Sequence, residues 1–144
     1  DLSTSHELYR LMARGIYPAA PRIRFPVCDV RDVAAAHAEA LVNPLARGQR
    51  FIIANGETGL FALGQALAAE CPDLKSKVPK FQLPDAVVRS LAVFDKRMRT
   101  ILPELGRQKL TSSAKAQTIL GLSLRDGDAA IRDAIRSLRD LGLI

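Results

Sequence analysis

The chain has 144 residues and a formal net charge of +6, with 48% hydrophobic and 25% charged residues. This length is enough for one domain with a real core, and the composition is ordinary for a soluble globular protein. No apolar run approaches the roughly 20 residues that span a bilayer and no signal peptide is recognisable, so we expect no membrane segment.

The first predicted helix starts almost at the beginning of the chain. Thr4 and Glu7 form a capping-box pattern, apolar residues up to Met12 share one helical face, and Gly15 ends the helix. Because the chain opens at Asp1 without an initiator methionine, we expect a fragment, or a chain whose beginning is not shown.

A loop and a strand-to-helix junction follow. Tyr17–Phe25 is rich in proline and alanine and is predicted to be an irregular loop, a kind of segment that often lines binding sites. Phe25–Val30 reads as a short strand, Asp32 as a helix N-cap, and Val33–Val42 as an Ala-rich helix. A strand that runs straight into a capped helix indicates an α/β fold.

The second predicted strand, Phe51–Ala54, is a continuous apolar run, which is typical of a strand covered on both faces. The turn that follows leads into a helix over Leu60–Glu70. Gly56–Ala62 matches a loose G-x-x-G-x-x-A dinucleotide turn, but an ordinary strand-to-helix turn with glycine at positive φ is the simpler interpretation.

The remaining elements are mostly helical. Val78–Pro84 is pinned by prolines and is at best an edge strand, after which Asp85 is predicted to cap a helix. Two further helices are predicted from Arg97 and Ser112, and Asp128 is predicted to cap the last one. Helices outnumber strands, and two doubly apolar strands cannot form a sheet alone, so we expect further strands to lie beside them.

Cysteines and histidines provide no metal site. Cys28, Cys71, His6 and His37 lie far apart, without the spacing of metal ligands, and two lone thiols are typical of a reduced cytoplasmic protein. His37 lies one turn after Val33, where a lone histidine is usually a structural hydrogen-bonding group.

The segment from Val27 to His37, VCDVRDVAAAH, resembles the V-D-V-R-D-V-A-x-A-H segment of extended short-chain dehydrogenases/reductases. The similarity is to the NAD-dependent epimerase/dehydratase group, and within it to dihydroflavonol-reductase-like members. Three further segments match in the order of that family: Gly48–Ala54, Leu102–Gly106 and Ser112–Gly121. The resemblance places the chain in the C-terminal part of the family, as a helix-rich α/β substrate-binding lobe over residues 1–144.

The catalytic half of the family is not found in these residues. The family uses a glycine-rich turn for the dinucleotide and a Tyr-x-x-x-Lys pair for proton transfer. Four residues after Tyr9 is Ala13, and four after Tyr17 is Pro21. We therefore assign no catalytic, cofactor-binding or metal residue, and we expect this chain alone to be inactive and to hold no cofactor.

For the intact protein, the resemblance implies an N-terminal Rossmann half that binds NADP or NAD and a hydride transfer to a small carbonyl substrate. The family usually dimerises through that half. Tyr17, Phe25 and Phe94 are candidate walls of the substrate pocket, although single aromatics are usually core residues.

Two other classes of function stay open. Positive charge is concentrated between Arg89 and Lys115, and Ser112–Leu138 could form a helix-turn-helix that binds nucleic acid. Aromatic residues are not interleaved with these charges, and acids lie among the arginines of the last helix, which argues against this alternative. The third class is a non-catalytic interaction domain.

Overall fold

The computed structural model describes residues 4–144, apart from the side chains of Thr4 and Arg97. The described residues form a helix-rich α/β fold with few strands, as predicted. The sheet has two short strands, of which the second, Glu57–Gly59, lies in the segment predicted as a turn. The elements in chain order are α1 Thr4–Ala13, β1 Arg24–Pro26, α2 Val30–Val42, β2 Glu57–Gly59, α3 Leu60–Glu70, α4 Asp85–Phe94, α5 Lys96–Ile101, α6 Ala114–Leu120 and α7 Gly127–Asp140. Short 3₁₀ helices lie at Pro44–Ala46, Pro72–Leu74 and Leu102–Glu104. The predicted capping side chain of Thr4 lies outside the described residues.

The chain divides into two compact units. Unit 1 consists of Asp1–Phe25, Thr58–Gln108 and Ile131–Ile144, and unit 2 consists of Pro26–Glu57 and Lys109–Ala130. Within the described part of the chain, no helix is both long and apolar enough to cross a bilayer.

Unit 1 is built around large side chains from four helices. Met12, Leu67, Val88 and Ile135 are each fully buried. The predicted apolar stripes are confirmed: Leu60, Leu63 and Leu67 of α3 are buried, and so are Ile131, Ile135 and Leu138 of α7. The 3.6-residue spacing places these groups on one face of each helix, and that face lies in the core.

Unit 2 has a smaller core, in which Ala36, Ala46 and Leu120 are buried together. Phe51 and Ile53 pack against this cluster from the apolar run that follows Gly48. Ala36 permits the close approach of the neighbouring segments, because a methyl group adds little to the separation of two backbones; the other alanines of α2, at positions 34, 35, 38 and 40, are exposed. The predicted Ala-rich helix is present and begins three residues earlier than Val33.

The three predicted aspartate caps are each displaced. Helix α4 has Pro84 at its N-cap and Asp85 as its first residue, and the caps of α2 and α7 lie three and two residues before Asp32 and Asp128. Helix α2 begins at Val30 because Asp29, not Asp32, accepts a hydrogen bond from the amide of Arg31 at 2.8 Å. The strand before it is therefore limited to Arg24–Pro26. Helix α7 begins at Gly127, where Asp126, rather than Asp128, accepts from the amide of Ala129 at 2.9 Å.

The apolar run Phe51–Ala54 is not a strand in the described structure. No residue of Phe51–Ile53 has a backbone hydrogen bond within the described part of the chain. Ile52, which points away from the two side chains that pack on the core, is 46% exposed. The segment has the composition of a strand but lacks a neighbouring strand to complete the ladder.

Candidate functional site

The irregular loop Tyr17–Phe25 of unit 1 is held on one side by an extended segment. The amide of Ala20 donates to the Phe81 carbonyl at 3.1 Å, and the amide of Leu83 donates to the Ala20 carbonyl at 2.8 Å. These bonds form a single bridge between Ala20 and Gln82. The predicted edge strand Val78–Pro84 is thus reduced to one bridge, and its function is to fix the loop.

The other side of the loop is held by a charged pair and a glycine turn. The Arg22 guanidinium donates to both carboxylate oxygens of Asp85, at 3.2 and 2.5 Å, and the amide of Gly106 donates to the Arg22 carbonyl at 2.7 Å. Gly106 has φ +72, and a Cβ atom there would lie 2.5 Å from the guanidinium. Glycine is therefore required at this position, and the loop is fixed in place despite its lack of regular structure.

The three predicted substrate residues do not form one cluster. Tyr17 lies at the start of the fixed loop and Phe25 lies in strand β1 at its end, and both are half-buried. Phe94 is the last residue of α4 and is 90% exposed. Since α4 begins at Asp85, where Arg22 anchors the loop, the helical rise places Phe94 ~13 Å along the axis from that anchor.

Helix α4 has apolar residues on both of its faces, which the sequence analysis did not recognise. Val88 and Ala92 are buried, whereas Val87, Leu91 and Phe94 are 42%, 45% and 90% exposed. The exposed three recur at helical spacing and form one apolar stripe. The available signal was the presence of two offset rows, 87/91/94 and 88/92, which together make an apolar band wider than the ~100° stripe of a helix that packs on one core.

In unit 2, two buried carboxylates lie at the start of α2, each with an arginine. Asp29 accepts from the Arg31 guanidinium at 2.8 and 2.5 Å, and Asp32 accepts from the Arg125 amide at 2.7 Å and forms an ion pair with its guanidinium. Asp29 and Arg31 thus form an ion pair at the start of the helix. Arg125 was missed because it lies 93 residues further along the chain.

His37 in this helix has a structural role, as predicted. Its Nδ1 atom lies 2.7 Å from the carbonyl oxygen of Val33. A ring nitrogen bound to the carbonyl of the preceding turn stabilises the local helix geometry. Within residues 4–144, no group of three or more His, Cys, Asp or Glu residues has an arrangement that could hold a metal ion.

Asp29 gives unit 2 a defined pH dependence. The hydrogen bond from Arg31 is the main cause that lowers the pKa of Asp29 from 3.8 to about 2. A carboxyl group whose pKa is depressed in the folded state stabilises that state above pH 3.8, and the contribution is lost as the pH falls through about 2. In urea unfolding, we expect Asp29→Asn to be less stable than the wild type at pH 7.

The asparagine keeps a capping oxygen, so this variant isolates the charge of Asp29. The difference in midpoint between the two proteins should shrink as the pH is lowered from 3.8 towards 2. A difference that stays constant over this range would contradict the assignment.

Ser113 provides the backbone of Ala54 with the partner that a neighbouring strand would otherwise supply. Its hydroxyl is buried, accepts from the Ala54 amide at 2.9 Å and donates to the Ala54 carbonyl at 2.7 Å. Lys115 extends this contact, because its ammonium donates to Gln49 at 2.7 Å and lies 5.2 Å from the ring centre of Phe51. Helix α6 thus holds the end of the apolar run.

We expect Ser113→Ala to destabilise unit 2 by about 2 kcal/mol, because two paired backbone groups of Ala54 lose their partner. The matched control is Ser112→Ala, whose hydroxyl is exposed and makes one long contact of 3.4 Å. Urea unfolding of both variants measures the effect, and equal stability of the two would show that the paired hydroxyl contributes nothing.

The residues of the turn Gly56–Ala62 do not fit a dinucleotide. Glu57–Gly59 is strand β2, and the amide of Leu60, the first of α3, donates to the Ile23 carbonyl at 3.1 Å. A pyrophosphate site requires free amides at a helix N-terminus, and here the first amide is already paired and Leu60 is buried.

The last helix does not present the free basic face that nucleic-acid binding would need. Arg136 forms an ion pair with Glu70 at 2.8 Å, and Arg139 forms one with Asp73 at 2.7 Å. Its apolar side lies in the core of unit 1. These contacts argue against α7 as a recognition helix.

Comparison with known proteins identifies similar reductases, although no family model matches the chain. The ketoreductase azaE of Aspergillus niger is 30% identical over 140 residues, which cover 95% of this chain and 36% of azaE. Gre2 of Candida albicans in complex with NADPH has a similar fold, with a TM-score of 0.66, 24% identity, and coverage of 96% of this chain and 37% of Gre2.

Two further solved structures have a similar fold. The protein gox2253 has a TM-score of 0.74 at 22% identity, with coverage of 99% of this chain and 45% of that one. Yeast methylglyoxal/isovaleraldehyde reductase Gre2 with NADPH has a TM-score of 0.63 at 20% identity, with coverage of 95% and 40%. The chain therefore spans less than half the length of each of these four relatives.

Proposed function

We propose that this chain, whose sequence and fold match the C-terminal part of extended short-chain dehydrogenases/reductases, is the substrate-binding part of an NADPH-dependent carbonyl reductase. The observation that carries the proposal is the 30% identity to a ketoreductase over 95% of the chain. The relatives with NADPH in their structures support the choice of cofactor. The other part of the intact protein, an N-terminal Rossmann half, would bind NADPH and supply the proton donor.

The unpaired segment Phe51–Ile53 supports the existence of such a partner half. These three consecutive residues have no backbone hydrogen bonds within the described part of the chain, and the Ile52 side chain leaves apolar surface exposed. Buried or half-buried amide and carbonyl groups without partners are costly, and a neighbouring strand pairs all of them at once. We expect amide exchange at Phe51–Ile53 to be fast in this chain alone and slow in the intact protein.

The fixed loop and α4 are the parts of this chain that we assign to the substrate. Tyr17 and Phe25 sit on a loop that Asp85 and Gly106 hold in place, so they can present apolar walls without a large ordering cost on binding. Phe94 and the rest of the exposed stripe of α4 form a second apolar surface in the same unit. We propose a small, mainly apolar aldehyde or ketone as the substrate, with the dihydroflavonol-reductase-like members as the reference group.

The test uses the intact enzyme with the variants Tyr17→Ala and Phe25→Ala. We expect each to raise KM for the carbonyl substrate about tenfold, because a lost apolar wall weakens binding by ~1.4 kcal/mol. The dissociation constant of NADPH should change less than about twofold, since the cofactor lies outside this lobe. Steady-state kinetics and nucleotide titration measure the two quantities.

The control is Leu110→Ala, because Leu110 is 93% exposed and belongs to unit 2. Its KM should equal that of the wild type. If Tyr17→Ala and Phe25→Ala also leave KM unchanged, the loop does not contact the substrate and this part of the proposal is wrong.

A further inference from the structure

Arg22 is the charged side chain that the loop Tyr17–Phe25 presents to solvent. The loop has two charged residues, both arginines. Arg24 is half-buried in strand β1, whereas the side chain of Arg22 is 54% exposed. The residues on either side of Arg22, Pro21 and Ile23, are buried. A ligand that lies on this loop therefore meets mainly apolar surface with one exposed guanidinium group.

Two contacts fix the orientation of this guanidinium. Its Nε and Nη2 atoms donate to the two carboxylate oxygens of Asp85 at 3.2 and 2.5 Å. It also lies against the bare backbone of Gly106, where a Cβ atom would be 2.5, 3.1 and 3.3 Å from Nη2, Cζ and Nε. A free arginine side chain loses rotamer entropy when it binds a ligand. Because Asp85 and Gly106 already hold the Arg22 side chain, most of that cost is absent here.

The Nη1 group of Arg22 is open to a ligand. Within residues 4–144, Nε and Nη2 form the hydrogen bonds of this side chain and Nη1 forms none. In a planar guanidinium bound through Nε and Nη2, the Nη1 hydrogens point away from the bound carboxylate. The charge of Arg22 is compensated by Asp85, whose carboxylate would repel a second anion. The open group therefore suits a neutral oxygen acceptor better than a carboxylate.

We propose that Nη1 of Arg22 donates a hydrogen bond to a second oxygen of the carbonyl substrate, so that the enzyme prefers ketones or aldehydes with a further neutral acceptor, such as an ester carbonyl. This inference rests on the proposed function, in which the loop contacts the substrate, and adds a chemical class to it. One oriented donor among apolar walls is sufficient to select ligands that carry a matching acceptor. Arg22 thus determines specificity and takes no part in hydride or proton transfer.

The experiment compares two ketones on the intact enzyme with NADPH, in the wild type and in Arg22→Met. Ethyl acetoacetate and methyl pentyl ketone have chains of equal length, but only the ester has a second carbonyl oxygen. Methionine keeps an apolar stem and removes the donor. We expect Arg22→Met to lower kcat/KM for the ester about fivefold, the value of one hydrogen bond, and for methyl pentyl ketone less than about twofold.

The matched control is Arg136→Gln, which removes an ion pair with Glu70 elsewhere in unit 1. It should leave kcat/KM for both ketones unchanged within about twofold. Because the ester is also the more reactive ketone, the measured quantity is the effect of each substitution and not the preference of the wild type.

Equal losses for the two ketones in Arg22→Met would overturn the inference, because Arg22 would then act only on the position of the loop. Unchanged kinetics with both would overturn it too. A wild type that reduces methyl pentyl ketone or simple aldehydes, but not the ester, would contradict this inference and leave the proposed function standing. A wild type that reduces none of these compounds would contradict both.

Discussion

Gly127→Ala is expected to destabilise unit 2 by about 3 kcal/mol, a large effect for the addition of one methyl group. Gly127 is the first residue of α7 and is buried against the carbonyl oxygen of Asn55, which a Cβ atom would overlap. The same Cβ would lie 3.3 Å from the Cβ of Val27. The clash is with backbone, so no side-chain rotation can relieve it.

The displacement of Asn55 in this variant would also affect the contacts that hold the loop before α7. The Asn55 side-chain amide donates to the carbonyl of Arg125 at 2.9 Å, and the Asn55 backbone amide donates to the Val27 carbonyl at 2.9 Å. A displaced Asn55 would weaken both bonds. Urea unfolding followed by circular dichroism measures the loss.

Gly59→Ala is the matched control, because Gly59 also precedes a helix and has a φ of −103, which any residue adopts. A Cβ atom there would lie 3.6 Å from the Ile23 carbonyl, an ordinary contact. We expect a change of less than about 1 kcal/mol for this variant. Equal effects of the two substitutions would mean that glycine flexibility, not the contact with Asn55, sets the cost.

Asp32→Ala is the second substitution with a large expected effect, a loss of about 3 kcal/mol. The carboxylate is 5% exposed and accepts both the backbone amide and the guanidinium of Arg125. Its removal leaves that amide without its acceptor and opens a cavity at the start of α2. Arg125 itself is 47% exposed, so its guanidinium regains water, which limits the loss.

Two control variants test whether the loss of stability comes from the Asp32–Arg125 interaction or from a general change of charge. Glu39→Ala removes a carboxylate from the exposed side of the same helix and should change the free energy of unfolding by less than about 0.5 kcal/mol. Arg125→Ala should cost less than Asp32→Ala, because the Arg125 amide keeps its bond to the carboxylate. If Arg125→Ala costs as much as Asp32→Ala, the guanidinium, not the amide, carries the interaction.

Elements whose pattern and end signals agreed were predicted well from the sequence. Helix α3 spans Leu60–Glu70 as predicted, because a leucine stripe at helical spacing ends at a cysteine followed by Pro72. The buried face of α7 follows in the same way from Ile131, Ile135 and Leu138. Local periodicity is sufficient to predict a helix and its buried face where that face packs on a core within the same unit.

Two of the incorrect assignments, the Asp32 cap and the Phe51–Ala54 strand, share a physical cause, which is that the deciding partner lies far away in the sequence. Asp29 and Asp32 are both good capping residues, and Arg125, 93 residues away, binds Asp32 and leaves the cap to Asp29. Ser113 pairs with Ala54 across 59 residues, so its role has no local signal.

The candidate site was predictable only in part for a related reason. The loop Tyr17–Phe25 is evident from its prolines, but the anchors that fix it, Asp85 and Gly106, come from distant positions. The exposed apolar stripe of α4 was not distinguished from its buried face, because both consist of hydrophobic residues. A hydrophobic side chain can be buried against another surface, but the sequence does not show which segment or partner protein provides that surface.

The measurement that tests the central claim most directly is the oxidation of NADPH by the intact protein with small aldehydes and ketones, beside the 144-residue chain alone. We predict that the intact protein reduces at least one of these carbonyls with NADPH, and that this chain alone neither binds NADPH nor shows turnover. An intact protein that binds no NADPH and reduces none of them would contradict the assignment to a carbonyl reductase, as would turnover by this chain alone.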